Sequence, residues 1–500
     1  MKKYLLFGTA LFVAASSFSQ NARSIKPSGV LDAPFINNEP SEPSLQNSSA
    51  FVGSIKKAKP AIKFNANKTS AVTVNNFTGA MNVLGYLLST QKPLHYTKGI
   101  NAVSFVTRKT TTYTASSNSN SGTIVGLWST NLGSTWDETC IWSNANNLAR
   151  YPQGIIYNPS GNTNINSAYI VGIGPYTSAA GGWGGTGNGH WYASKQITTP
   201  GNTTSGADQQ SSAYQGGFLK SHYMNRNSIS AIEGGLVRSL GNIVNDPAGT
   251  TNVAFGLRGI LLTKGMFNAG AFVWTSDSFK PPVQTRTDGS PLLGSTTPIE
   301  AWDETGTVGY VITLGCRASE TVSTNHASPK GGMQPIVYKT TNGGSSWSLL
   351  PAVDFADPIN FRGVSDRMFP LNTNTNVIVA NFTQSEGIDA VVDMNGQLHI
   401  ATMAVGHYYN HVDSLGYRYV FGTEQYNYGE TGPFDYPIIY DFYTKASGAW
   451  DYHMVDSMGT EGPGSASGDP GYASNQWTSS TAKYTSDARI QMSRSAERTK

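Results

Sequence analysis

Two eight-residue segments built on one pattern constrain this chain more than anything else in it. Ser129-Thr130-Asn131-Leu132-Gly133-Ser134-Thr135-Trp136 reads S-x-N-x-G-x-T-W, and Thr340-Thr341-Asn342-Gly343-Gly344-Ser345-Ser346-Trp347 reads T-x-N-x-G-x-S-W. Each follows a short apolar run, TIVGLW before the first and PIVYK before the second. An asparagine side chain accepts backbone N–H bonds across a tight turn, and glycine takes the left-handed conformation that such a turn demands. The serine or threonine hydroxyl adds a local bond, and the tryptophan ring covers neighbouring strands. The pattern predicts two side-chain-braced β-hairpins, one using Ser129, Asn131, Gly133 and Trp136, the other Thr340, Asn342, Gly344 and Trp347.

The surrounding sequence has the same texture. Charged residues are only 13% and aromatics reach 11%, with 54 glycines. Glycine, asparagine and serine serve turns while β-branched and aromatic residues fill pleated faces, so this mixture suits many short strands. Strands are predicted at Ala102–Thr107, Thr123–Trp128, Gly154–Tyr157, Ala168–Ile173 and Tyr310–Leu314. Further ones fall at Pro335–Lys339, Val377–Ala380, Leu398–Met403, Pro437–Tyr443 and Trp450–Val455. No crossover helix follows any of them, which predicts antiparallel sheets. Asn395-Gly396 makes Asp393 to Ile400 the clearest hairpin, and Asp303 to Val311 repeats its layout around Gly306.

The two braced segments resemble the Asp-box, or BNR repeat, of sialidase-type β-propellers, with asparagine in the usual aspartate position. The resemblance covers the two motifs and the strand rhythm around them. It implies an all-β fold, a β-propeller of six to eight four-stranded blades, seven being the expected number. The motif asparagines stand 211 positions apart, four or five times the roughly 40–50 residues of one blade. Trp274-Thr275-Ser276-Asp277-Ser278-Phe279 is either a decayed third copy or unrelated. In the family these boxes are structural and lie on the rim away from the active site.

Before the propeller, expected over residues 76–500, the chain has two other parts. Residues 1–19 read as a signal peptide: Lys2 and Lys3, an apolar run from Tyr4 to Ala15, then Ser17-Phe18-Ser19. The apolar run falls short of the roughly 20 residues that span a bilayer. Residues 20–75 are polar, proline-dotted and aperiodic, the composition of a disordered leader. Removing Lys2 and Lys3 from the formal charge of +3 leaves +1, so no global field recruits nucleic acid or an anionic membrane. The cluster Lys56, Lys57, Lys59, Lys63 and Lys68 belongs to the leader and reads as a solvated tail. Cys140 and Cys316, the only cysteines, are expected as buried thiols rather than a disulfide.

The leader, the asparagine-type boxes and the run Arg150-Tyr151-Pro152-Gln153-Gly154 to Asn158-Pro159 also resemble exported proteins of the type IX secretion pathway. That resemblance implies a secreted or surface-attached protein. Asp487 to Arg494 followed by the turn-like Ser495 to Lys500 reads as one strand lacking a partner, and predicts a truncated chain or an unusual closure.

Catalytic signals are sparse. Sialidases of the resembled family grip a substrate carboxylate with three arginines, whose forked donors match two oxygens at once. The nearest match to their first arginine motif is Arg150-Tyr151-Pro152, although it follows the first box instead of preceding it. Arg258, Arg317, Arg362, Arg367 and Arg418 are available as partners. No G-x-S-x-G elbow, H-E-x-x-H pair or phosphate loop occurs. His407-x3-His411-x-Asp413 falls at a strand end and loop rather than on a helix, so no metal or other cofactor is expected. The glycine-rich stretch Tyr176 to Trp191 carries Trp183, His190 and Trp191, read either as rings that stack on a sugar or partner, or as cover for the rim. Candidate binding residues are therefore Arg150, Trp183, His190 and Trp191. The leading functional expectation is non-catalytic recognition of a glycan or cell-surface protein. A sialidase-type glycoside hydrolase and a structural extracellular repeat protein are the alternatives, and no oligomeric state is implied.

Overall fold

The computed structural model describes residues 77–78, 93–109, 122–178, 189–198, 222–244, 257–286, 289, 291–293, 298–319, 333–353, 379–382, 388–407, 438–457 and 490–494. All of them belong to one compact unit, Thr73–Met368 with Asn376–Lys500. The expected signal peptide and the whole of the expected leader, residues 1–75, lie outside the described residues. Among those residues there is no α-helix, and no helix is long and apolar enough to cross a membrane. The strands form five antiparallel sheets.

The first sheet is β1 (Leu94–Thr97), β2 (Ala102–Arg108), β3 (Ile124–Ser129) and β4 (Asp137–Trp142), paired in that order. The second holds β5 (Asn147–Ala149), β6 (Gln153–Tyr157), β7 (Tyr169–Ser178) and β8 (Gly189–Gln196), with β5 and β6 sharing one side of β7 and β8 on the other. The third is β9 (His222–Ala231), β10 (Leu236–Val244), β11 (Leu257–Asn268) and β12 (Ala271–Phe279), again in chain order. The fourth runs β13 (Ile299–Trp302), β14 (Gly309–Gly315), β15 (Gln334–Thr340) and β16 (Ser348–Leu349). In the fifth, β17 (Val379–Phe382) and β18 (Ile388–Val392) both pair with β19 (Leu398–His407), followed by β20 (Ile438–Thr444) and β21 (Trp450–Ser457).

The sheets stack face to face in chain order because their strands alternate. In the second sheet Ile156, Ile170, Trp191 and Ala193 turn toward the first, where they meet Val106, Ile124, Ile141 and Trp142. Their neighbours Ile155, Tyr157, Val171, Ile173 and Tyr192 turn the other way, onto Ile229, Val237 and Phe272 of the third. Leu240, Ile260, Leu262 and Phe279 then close against Val311 of the fourth sheet. A fully buried aliphatic or aromatic side chain contributes roughly 1.5–3 kcal/mol, so each seam is a core in its own right. β2, β6, β9, β13 and β18, one strand from each sheet, touch in series. Antiparallel sheets of near-consecutive strands that follow one another in this way are the blades of a β-propeller. Five are described; the expected six to eight refers to the whole chain.

Strand direction divides the connections into two rims. Counting β1, β6, β9, β13 and β18 as the first strand of each sheet, the hairpins joining first to second and third to fourth strands lie on one rim and contain two to eleven residues, for example 130–136, 232–235, 269–270, 303–308, 341–347, 393–397 and 445–449. Second strands end and third strands begin at the other rim, separated in sequence by ten to thirty residues, among them 109–123, 179–188, 245–256 and 408–437. Links out of the first, third and fourth sheets leave from that second rim too, whereas β8, the last strand of the second sheet, ends on the first rim, where the Ile197 N–H donates to the Ala168 carbonyl. We call these the turn rim and the loop rim.

The two predicted braced hairpins sit on the turn rim between β3 and β4 and between β15 and β16. Asn131 Oδ1 accepts the Thr135 N–H at 2.9 Å while its Nδ2 donates to Thr135 Oγ1 at 2.8 Å. Asn342 and Ser346 repeat this at 2.9 and 2.8 Å. The Ser129 and Thr340 hydroxyls donate to their asparagine and accept the N–H of Gly133 or Gly344. Those glycines have φ of +91° and +92°, beyond what a side chain tolerates. Trp136 stacks on Phe77 at 4.5 Å, and Trp347 meets Phe279 and Trp302 edge-on.

Two expectations change. Trp274 to Phe279 lies inside β12 and is not a third turn of this kind. The sequence reading also passed over the third sheet, whose strands carry many polar residues. Cys140 and Cys316 are buried and neither is in a disulfide.

Candidate functional site: an arginine pair on the loop rim

Long connections on one rim make it the place to look for a site, since binding groups concentrate on loops held by a rigid scaffold. At the loop-rim end of the seam between the first two sheets stands Arg108, the last residue of β2, which shares the strand face of Ala102 and Val106. It is only 5% exposed. Arg150 approaches from the second sheet because of an irregularity there. Ala149 pairs with Tyr176, and Gln153 pairs with Ile173. Three residues, Arg150 to Pro152, therefore stand opposite two, which is a β-bulge. Gly174 permits it, as a Cβ there would lie 2.8 Å from the Arg150 carbonyl. Tyr151 takes φ of +40°, an uncommon backbone for an aromatic residue and a form of strain that collects at functional sites.

The electrostatics follow. Burial, reinforced by the charge of Arg150 and partly offset by Tyr151, brings Arg108 down to about 10. Burial also lowers Arg150, with Tyr151 opposing. Arg150 Nη1 donates to the Ala149 carbonyl at 2.9 Å. A buried and a half-buried guanidinium that feel each other's charge favour a nearby anion, and a guanidinium fork fits a carboxylate or phosphate best. Among the described residues no group of three or more His, Cys, Asp or Glu is placed to hold a metal ion.

The other sequence candidates are placed as follows. Trp191 is not a surface ring: it is fully buried in β8, 5.4 Å from Trp142. Gly172 makes room for it, since a Cβ there would meet the indole at 2.8 Å. His190 lies in β8 on the loop-rim side, and Trp183 lies outside the described residues. Arg317 is buried and donates to the carbonyls of Leu350 and Pro351 at 2.6 and 3.2 Å, a structural commitment that removes it from the candidate partners. Arg258 is the second residue of β11, and Arg362, Arg367, Arg418 and the His411–Asp413 pair lie outside the described residues. Sequence reasoning missed Arg108. Its only signal was a charged residue ending the AVSFVT strand.

No protein-family model matches the chain, and no curated protein matches it either. Solved structures similar to it include a glycoside hydrolase family 43 arabinoxylan arabinofuranohydrolase from Bacillus subtilis, at 10% identity and a TM-score of 0.30, covering 77% of this chain and 70% of that one. The Trypanosoma rangeli sialidase matches at 9% identity and 0.30, covering 73% and 54%. An endo-1,5-α-L-arabinanase from Thermotoga petrophila matches at 10% and 0.28, covering 74% and 75%. Likeness at this level leaves the fold to be read from the sheets themselves.

Proposed function

We propose that this is an exported Asp-box β-propeller whose loop rim captures a carboxylate-bearing ligand, an acidic glycan or an acidic cell-surface protein, without transforming it. The observation carrying this reading is the pairing of Arg108 and Arg150 at one seam, both desolvated and one anchored on a strained bulge. The turn rim supplies the scaffold: its asparagines form Asp-boxes, and their side-chain bonds are spent within the turns. The lysine-led apolar start and the resemblance to type IX cargo support export by that route.

The test is an array of acidic and neutral glycans probed with the full chain, run beside fluorogenic sialosides. Binding of acidic glycans without turnover is the expected result. Arg150→Ala then weakens binding about tenfold or more, because a hydrogen bond to a charged group is worth about 1.5–3 kcal/mol. Turnover of any sialoside makes the protein a hydrolase instead, and indifference to the carboxylate overturns the reading.

A further inference from the structure

Ile490–Arg494 lies against the fifth sheet without joining its ladder. The Met492 N–H donates to Asp389 Oδ2 at 2.7 Å, and Arg494 Nη1 donates to the Val392 carbonyl at 3.2 Å. The Ala401 N–H points at the Met492 sulfur from 3.2 Å. Alternate residues of the segment are half-buried and exposed, the mark of an extended chain with one side on a surface. It runs beside β18 in the same direction, about a hundred positions later in the sequence. Asp389, second residue of β18 at its loop-rim end, is only 1% exposed.

We propose that Ile490–Arg494 is a detachable strap that shields the Asp389 carboxylate. A buried carboxylate is costly unless hydrogen-bonded, and the Met492 amide is one of its donors, beside the N–H of Ala390 at 2.7 Å. The strap is held by isolated bonds, whereas β18 and β19 share a five-residue ladder. Segments with few buried contacts and half-exposed bonds open before the core does. Opening withdraws a donor from Asp389 and uncovers a carboxylate on the loop rim. That group suits a cationic or hydroxyl-bearing ligand, opposite in preference to the arginine pair.

Hydrogen exchange and carbodiimide labelling of the full chain test this. The Met492 amide should exchange roughly tenfold or more faster than those of Ile400 and Thr402, as expected for opening below the global unfolding energy. Met492→Pro, which deletes the donated N–H, should raise carbodiimide labelling of Asp389 several-fold while the β19 amides stay protected. Arg494→Ala should do the same more weakly, and keeps the test alive if the proline variant does not fold. Exchange of Met492 in step with Ile400, or labelling of Asp389 that neither variant changes, overturns the strap.

Discussion

The two rims use similar polar chemistry to opposite ends. On the turn rim a polar side chain is satisfied within its own turn: Asn131 and Asn342 bond residues two or four positions away. The aspartates of the inner hairpins behave alike, Asp303 accepting the Thr307 N–H and Asp393 the Gln397 N–H. Arg238, from the third sheet, is committed there in part, stacking 3.7 Å over Trp302 and donating from Nη2 to the carbonyls of Gly306 and Gly343, while its Nε and Nη1 are buried without a hydrogen bond. On the loop rim Arg108 and Arg150 are brought together by tertiary packing, and their like charges oppose one another. The first arrangement is local to a turn; the second, on which the proposed site rests, exists only where two sheets meet.

Trp347→Ala should separate the two roles most sharply. Losing this ring from its contacts with Phe279 and Trp302 costs about 3 kcal/mol, read as a lower midpoint in denaturant. Acidic-ligand affinity at the opposite rim should stay unchanged, and a parallel loss of affinity would erase the distinction between rims. Asn342→Ala is the next smaller effect. It removes the brace of one turn and should cost about 1 kcal/mol, while Asn342→Asp, which keeps the accepting oxygen, should recover most of that.

The smallest effect is pH-dependent and sits just inside the turn rim on the fifth sheet. His399 Nδ1 lies 2.9 Å from Asp441 Oδ2, and that bond raises the imidazole above its ordinary value, against the opposing effect of burial. Asp393 adds to the rise, and Tyr443 stacks on the ring. A group raised on folding stabilises fully below its unfolded value near 6.5 and loses that contribution as pH climbs through the folded one. Stability of the fifth sheet should therefore fall modestly as pH rises past that point. His399→Gln should flatten the slope, and a slope unchanged by that substitution would falsify the assignment.

Legibility followed locality. The braced turns were readable because every hydrogen bond of the brace lies within eight residues, and about half of the described strands because short apolar runs between turn residues mark them. The third sheet escaped notice because polar residues interrupt its strands, as in β9 (HYMNRNSISA), and its β10 pairings shift register. Trp191 was misplaced because the glycines that seat it, Gly172 and Gly174, belong to another strand. Alternate glycines in YIVGIG were the available sign that a large ring lies across β7.

The sequence by itself determined the all-β character, the two asparagine-braced hairpins and about half of the described strand positions, since backbone turn chemistry and pleat alternation act over a few residues. Only the tertiary structure decided that Arg108 and Arg150 share a seam and that Trp191 belongs to the core. Those outcomes depend on how one sheet lies against the next, and the energy that sets this is spread over whole faces rather than written in any short segment.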